Sequence, residues 1–254
     1  MTISDSRSGV RSVAVRLLDG FQLVVDDHAE AIMPSSQRIL AYLALHGGPV
    51  DRGVLAEVFW PGVPERRAAA RLRSALWRLV RPELPLVASG QGMLGLATSV
   101  TVDVIAVRRY AAELTAHGTH RQTAGPPAPL TADLLPGWTE PWVVAERDWF
   151  RQLCVRTLEL LSARFHADGD VFNAHEAATA AVRADPLRES ARRRLIELHL
   201  ADNNPAAAVR QYTDYRTRLH SELGLRPTAE IQRLLAPLLH RTPSPVPTDG
   251  DTRG

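Results

Sequence analysis

The residues in this chain best suited to chemistry are arginines gathered on one short stretch. Residues 66–81 hold six arginines and no acid. A guanidinium is a planar fork of donors that fits phosphate oxygens and the O6/N7 edge of guanine. The implied chemistry is recognition of a polyanion, not bond making. Winding the stretch at ~100° per residue gathers Ala68, Ala69, Leu72, Ala75, Leu76 and Leu79 on one side. Arg67, Ala70, Ser74, Trp77, Arg78 and Arg81 fall opposite, with Arg66 at the edge and Arg71 and Arg73 flanking the apolar stripe. The apolar side predicts an anchor, and the outer side a surface for double-stranded DNA. The N-terminal half of a recognition helix usually meets base edges. Arg66, Arg67, Ala70 and Ser74 are therefore expected to contact bases. Arg71, Arg73, Arg78 and Arg81 are expected to contact the DNA backbone, with Ser36 and Arg38 from an earlier helix and Gln91 from a later hairpin.

The count of arginines is weaker support than their placement. All 30 basic residues are arginine, so any basic face in this chain would be built from it. The competing reading is a solvated basic face, although idle helix faces usually mix both signs. Trp77 suits neither reading and is expected to pack against the hairpin or a second domain.

Other chemistry finds little support. Gly90-Gln91-Gly92-Met93-Leu94-Gly95 matches a dinucleotide fingerprint, but that motif needs a helix N-terminus after the glycines. The residues that follow, 96–104, are rich in Val and Thr without helical period, so a hairpin turn is the better reading. His117 and His120 lack a third ligand, and His199 is expected to pack. Cys154 stands alone, which excludes an internal disulfide or a cysteine-built zinc site. No nucleophile elbow or zinc-protease motif occurs, so neither an enzyme nor a cofactor is expected. No apolar run reaches the ~20 residues of a membrane span, and no signal peptide is evident. A cytoplasmic protein follows as the expectation.

The elements that must position the arginines come in a definite order. Residues 13–18 and 21–25 alternate around Asp19-Gly20 and predict two strands with a tight turn. A helix is predicted from Ser35, as N-cap, to His46, ended by Gly47-Gly48-Pro49. Asp51 can cap a second helix that runs to Phe59. The third runs from Glu65 and must end near Arg81, because Pro82 follows. Residues 86–88 and 93–96 predict a hairpin with Ser89-Gly90-Gln91-Gly92 at its tip, and an extended run over 100–104 closes the region. Strands, three helices and a hairpin make a winged helix-turn-helix.

A Gly-, Pro- and Thr-rich stretch spans 117–131, and residues 145–240 then read as successive helices. A shift of 34 residues aligns Leu161 with Leu195, Phe165 with His199, Ala174 with Ala208, Ala178 with Tyr212 and Ala181 with Tyr215. It also aligns Asp168-Gly169-Asp170 with Asp202-Asn203-Asn204. That period resembles the tetratricopeptide repeat, with flanking helices expected near 146–160 and 228–239 to complete the stack. The expected organisation is a flexible N-terminus (1–11), a winged helix (12–104), an all-α repeat domain (105–240) and a disordered tail (241–254). The fold class is mainly α, with an α+β N-terminal part.

These residues resemble a known family. Gln37-Arg38-Ile39-Leu40-Ala41-Tyr42-Leu43-Ala44-Leu45, Val54-Leu55-Ala56-Glu57-Val58-Phe59-Trp60 and the arginine helix resemble the winged helix of the SARP family, the Streptomyces antibiotic regulatory proteins. The second half is similar to their bacterial transcriptional activator domain. Its signatures are Leu135-Pro136-Gly137-Trp138, Trp142-Val143, Glu146-Arg147 and Asp185-Pro186-Leu187-Arg188-Glu189. Further on come Leu198-His199-Leu200-Ala201, Ala206-Ala207-Ala208 before Tyr212, and Glu222-Leu223-Gly224-Leu225-Arg226-Pro227. The resemblance implies a cytoplasmic activator of a secondary-metabolite gene cluster. Such an activator binds promoter repeats, often as a homodimer, and recruits RNA polymerase holoenzyme. It also implies a polymerase contact at Trp60-Pro61-Gly62-Val63-Pro64. The chain departs from the family at Gly92-Met93, where Gly-Tyr is common, and at Leu76-Trp77, where Leu-Arg is usual. Three other readings stay open: a repressor, a ligand-sensing repeat domain, and a protein-interaction scaffold that does not read DNA sequence.

Overall fold

The computed structural model describes residues 11–81, 84–117 and 127–239. Most of the N-terminal stretch, the tail, His120 and most of the Gly/Pro-rich stretch lie outside the described residues. Backbone contacts divide the chain into two compact units. One comprises Met1–Thr119 and Thr131–Leu153, the other His120–Leu130 and Cys154–Gly254.

The first unit begins with β1 (Val13–Arg16), β2 (Gln22–Val25) and β3 (His28–Glu30), joined antiparallel. The sequence predicted only two strands here. The third carries no pattern of its own; a two-residue turn at Asp26 and Asp27, both with positive φ, folds it onto β2. α1 (Pro34–His46) has Met33 as its N-cap, two residues before the expected Ser35. Proline at the first helical position needs no N–H, and the Met33 carbonyl accepts from Ser36 N and Gln37 N at 2.8 and 3.0 Å. Gly47 ends the helix in the left-handed region, where a side chain would be strained. β4 (Val50–Asp51) is a second unforeseen strand. α2 (Arg52–Phe59) follows, capped as expected by Asp51, whose carboxylate accepts from Gly53 N and Val54 N.

α3 (Glu65–Trp77) precedes β5 (Val87–Gly90) and β6 (Met93–Leu96). β6 lies between β4 and β5, so the hairpin is part of a three-stranded sheet. β7 (Val100–Val102) returns to the first sheet, parallel to β1. The extended run expected to reach Val104 stops there, because α4 (Asp103–His117) begins. Asp103 causes the switch. Its carboxylate accepts from Val104 N at the helix start and from Leu17 N and Leu18 N beyond the end of β1.

The first unit runs on past residue 104. Residues 131–153 also belong to the first unit. Leu134 bridges Leu18, and Arg147 donates to the carbonyls of Leu134, Leu135 and Trp138. Trp142 meets Tyr42 and Phe59 edge-on at 5.2 and 6.1 Å between ring centroids. Three of the sequence signatures of the second half thus act in the first unit.

α5 (Pro141–Ala167) carries the chain into the second unit, which continues through α6 (Val171–Ala184), α7 (Glu189–Ala201), α8 (Pro205–Leu223) and α9 (Ala229–Leu239). The repeat is visible in its hydrogen bonds. Asp170 N donates to Phe165 O and caps α6 through Asn173 N; Asn204 N donates to His199 O and caps α8 through Ala207 N. Both bonds recur 34 residues apart. The small residues Ala174, Ala178, Ala181 and Ala208 are fully buried at the crossings. α9 completes the stack by packing Ile231 and Leu235 against Ile196, Tyr212, Tyr215 and Leu219. Glu189 ties the end together, accepting from Thr228 N at 3.0 Å and from the Tyr215 hydroxyl at 3.3 Å.

Candidate nucleic-acid interface

The geometry of α3 follows from its two faces. Ala68, Leu72 and Ala75 are buried against the unit, and Leu79, just past the helix, continues the stripe. Small residues at 68 and 75 allow close approach to α1, where the Ser36 hydroxyl donates to Ala75 O at 3.3 Å. At the other end, the Pro64 carbonyl accepts from Arg67 N and Ala68 N, and Glu65 places a negative charge at the positive end of the helix dipole.

The helix stops at Trp77, four residues before the expected end. Leu79 N and Val80 N bond back only three residues, a tightening common at helix ends. Pro82 disfavours a helical Arg81, and α3 ends before that constraint applies. Arg78 becomes the C-cap, and Arg81 leaves the outer face.

The structure sorts the expected DNA contacts. Arg66, Arg67, Ala70, Arg71, Arg73, Ser74 and Arg78 are all exposed. Among the described residues none of those five arginines has an acidic partner. Several arginines elsewhere are paired with acids: Arg108 with Glu146 at 2.8 Å, Arg188 with Glu159 at 3.1 Å and Arg218 with Glu222 at 3.3 Å. The clustering of exposed arginines on one short helix, not arginine content, distinguishes α3. The Ser74 hydroxyl donates to Ala70 O at 3.1 Å, so it faces outward as an acceptor.

Three expected backbone contacts need correction. Ser36 is 1% exposed with its hydroxyl turned inward, out of reach of a duplex. Arg38 pairs with Glu140 at 2.8 Å and lies over the Phe59 ring. Arg81 pairs with Glu30 of β3. The partner acids lie far away in sequence, so local pattern could not reveal them. Trp77 also departs from expectation: it is 78% exposed and packs against neither the hairpin nor any ring described.

The hairpin stands beside α2. Its tip is a two-residue turn, Gln91-Gly92, with both φ positive; Ser89 and Gly90 are strand residues. Gln91 is exposed at the tip, as expected. Arg52 was not foreseen. Its N–H donates to Gly92 O at 3.1 Å and its guanidinium to the Ser89 hydroxyl at 2.8 Å, which locks the hairpin onto the start of α2. The loop between α2 and α3 is equally defined. Val63 N donates to Trp60 O at 3.2 Å, with Pro61 and Gly62 in the middle of the turn and Gly62 at φ 73°. Trp60 rests on Phe59 while Pro61, Gly62 and Pro64 stand exposed.

A winged helix-turn-helix with an arginine face is therefore followed by an α-helical repeat. Residues 111–239 match the model of the bacterial transcriptional activator domain. The chain belongs to that family. A winged helix followed by this activator domain is the arrangement that the SARP resemblance of the sequence implied. No curated protein matches this chain. Among solved structures, it is similar to Mycobacterium tuberculosis EmbR, described in complex with a low affinity phosphopeptide, with a TM-score of 0.63 and 18% identity. The match covers 92% of this chain and 66% of EmbR, just under two thirds of that protein. At that identity the likeness bears on the fold alone. Within the described residues, no helix is long and apolar enough to cross a membrane.

Proposed function

We propose that this activator-domain protein binds promoter DNA through α3 and acts in the cytoplasm as an activator of a secondary-metabolite gene cluster. The observation that carries this is the exposed face of α3, where five arginines without acidic partners among the described residues lie around Ala70 and Ser74. Arg66, Arg67, Ala70 and Ser74 contact base edges. Arg71, Arg73 and Arg78 hold phosphates on the groove walls, and Gln91 reaches the adjacent backbone. Repeated promoter sites suit binding as a homodimer.

Activation runs through the loop 60–64. Its fixed turn and exposed Pro61, Gly62 and Pro64 suit contact with RNA polymerase holoenzyme. Genome-wide mapping of bound sites, followed by transcription in vitro with holoenzyme on the mapped promoters, tests the proposal. Transcript should rise with added protein, and Gly62→Ala should lower the rise while leaving DNA binding intact. A fall in transcript on adding the protein would identify a repressor. Absence of bound sites would favour an interaction scaffold.

A further inference from the structure

Trp77 is the most exposed of the large apolar side chains among the described residues. It is 78% exposed at the last turn of α3. Its indole has no ring contact or hydrogen bond among the described residues. An indole usually buries most of its 150–250 Å² and is seldom left in water.

Its angular position points to a partner. At ~100° per residue, Trp77 lies within about 20° of Ala70, two turns away on the outer face. Arg73 and Ser74 precede it by one turn, and Arg78 follows. None of these arginines has an acidic partner among the described residues. A neutral or basic protein surface would meet like or uncompensated charge there. Duplex DNA answers both features, because its phosphates match the arginines and its major groove also presents apolar groups, the thymine methyls.

We propose that Trp77 is a specificity-determining residue that packs its indole on a thymine methyl in the major groove. The proposal rests on the reading of α3 as a DNA-binding helix. Ala70 and Trp77 are separated by about 10 Å along the helix, at 1.5 Å per residue. For a helix lying along the groove, that places the thymine about three base steps from the bases beneath Ala70.

The test uses the full chain and the duplex it selects from a randomised library. Binding is measured by fluorescence anisotropy. Trp77→Ala should weaken binding to the selected duplex at least tenfold and to a scrambled duplex less than twofold. Its salt dependence should stay unchanged, since no charge is lost. Trp77→Phe, which keeps an apolar ring, should bind within about threefold of the wild type. Replacing each dT in turn by deoxyuridine removes one methyl. One position should cost the wild type about fourfold, the worth of one buried methyl, and cost Trp77→Ala nothing. Equal losses on both duplexes, no loss, or a deoxyuridine penalty that persists in Trp77→Ala would each overturn the proposal. So would a dimer of the DNA-free protein that Trp77→Ala dissolves, which would assign the indole to a second copy. Arg67→Ala run in parallel separates the two readings. If it loses selective binding while Trp77→Ala does not, α3 reads DNA without Trp77. If the wild type enriches no duplex, the DNA reading and this inference fall together.

Discussion

Salt dependence offers a prediction whose size follows from the structure. Arg71, Arg73 and Arg78 are exposed, lack acidic partners among the described residues, and are assigned to phosphates. Each phosphate neutralised releases counterions and contributes about −0.9 to the slope of log K against log salt on duplex DNA. Three contacts give a slope near −2.7 for each bound chain, or about a 40-fold loss of affinity between roughly 50 and 200 mM salt. Replacing any one with alanine should make the slope shallower by about 0.9. Arg38→Ala and Arg81→Ala should leave it nearly unchanged, because Glu140 and Glu30 already hold those guanidiniums. The assay is an anisotropy titration over a salt series with one duplex. A flat wild-type slope, or a change for Arg81→Ala as large as for Arg73→Ala, would refute the reasoning.

Arg147→Ala should lower stability by about 3 kcal/mol, since it strips three carbonyls of one charged donor; a thermal or urea melt measures it. The Cys154 thiol, pushed up to about 12 by burial, should resist a thiol reagent in the native protein and react promptly in denaturant. His199 is held below its ordinary value, first by burial and then by His175, against the pull of Asp202 and with a further push from Arg210. The unfolded chain therefore takes up a proton at this position more readily than the folded one. The His199 contribution is intact above about pH 6.5 and lost as pH falls below it. Melting temperatures across that range should drop for the wild type and flatten in His199→Phe.

Features set by local pattern were legible in the sequence. The apolar stripe Ala68, Leu72 and Ala75, the Asp51 cap, the Gly47 stop and the 34-residue repeat each depend on neighbours within a turn or on a recurring unit. The features that were not legible depend on partners far along the chain. Strands β3 and β4 are short and exist through pairing. Asp103 begins a helix while binding the backbone of residues 17 and 18. Trp138, Trp142 and Arg147 read as part of the helical half, yet their partners belong to the first unit. The candidate site divides along the same line. Exposure of Arg66, Arg67, Arg71 and Arg73 followed from helical winding. Withdrawal of Ser36, Arg38 and Arg81 required Ala75, Glu140 and Glu30, which lie roughly 40 to 100 residues away.

The central claim is that the outer face of α3 reads base sequence. Its most direct test compares Arg67→Ala with the wild type on the selected duplex and on unrelated duplex of equal length. A bidentate arginine–guanine contact is worth roughly 1–3 kcal/mol of discrimination, about five- to 150-fold. A loss of that size is expected on the selected duplex, with little change on the unrelated one. An equal loss on both would make Arg67 a phosphate contact and place the outer face of α3 away from the bases.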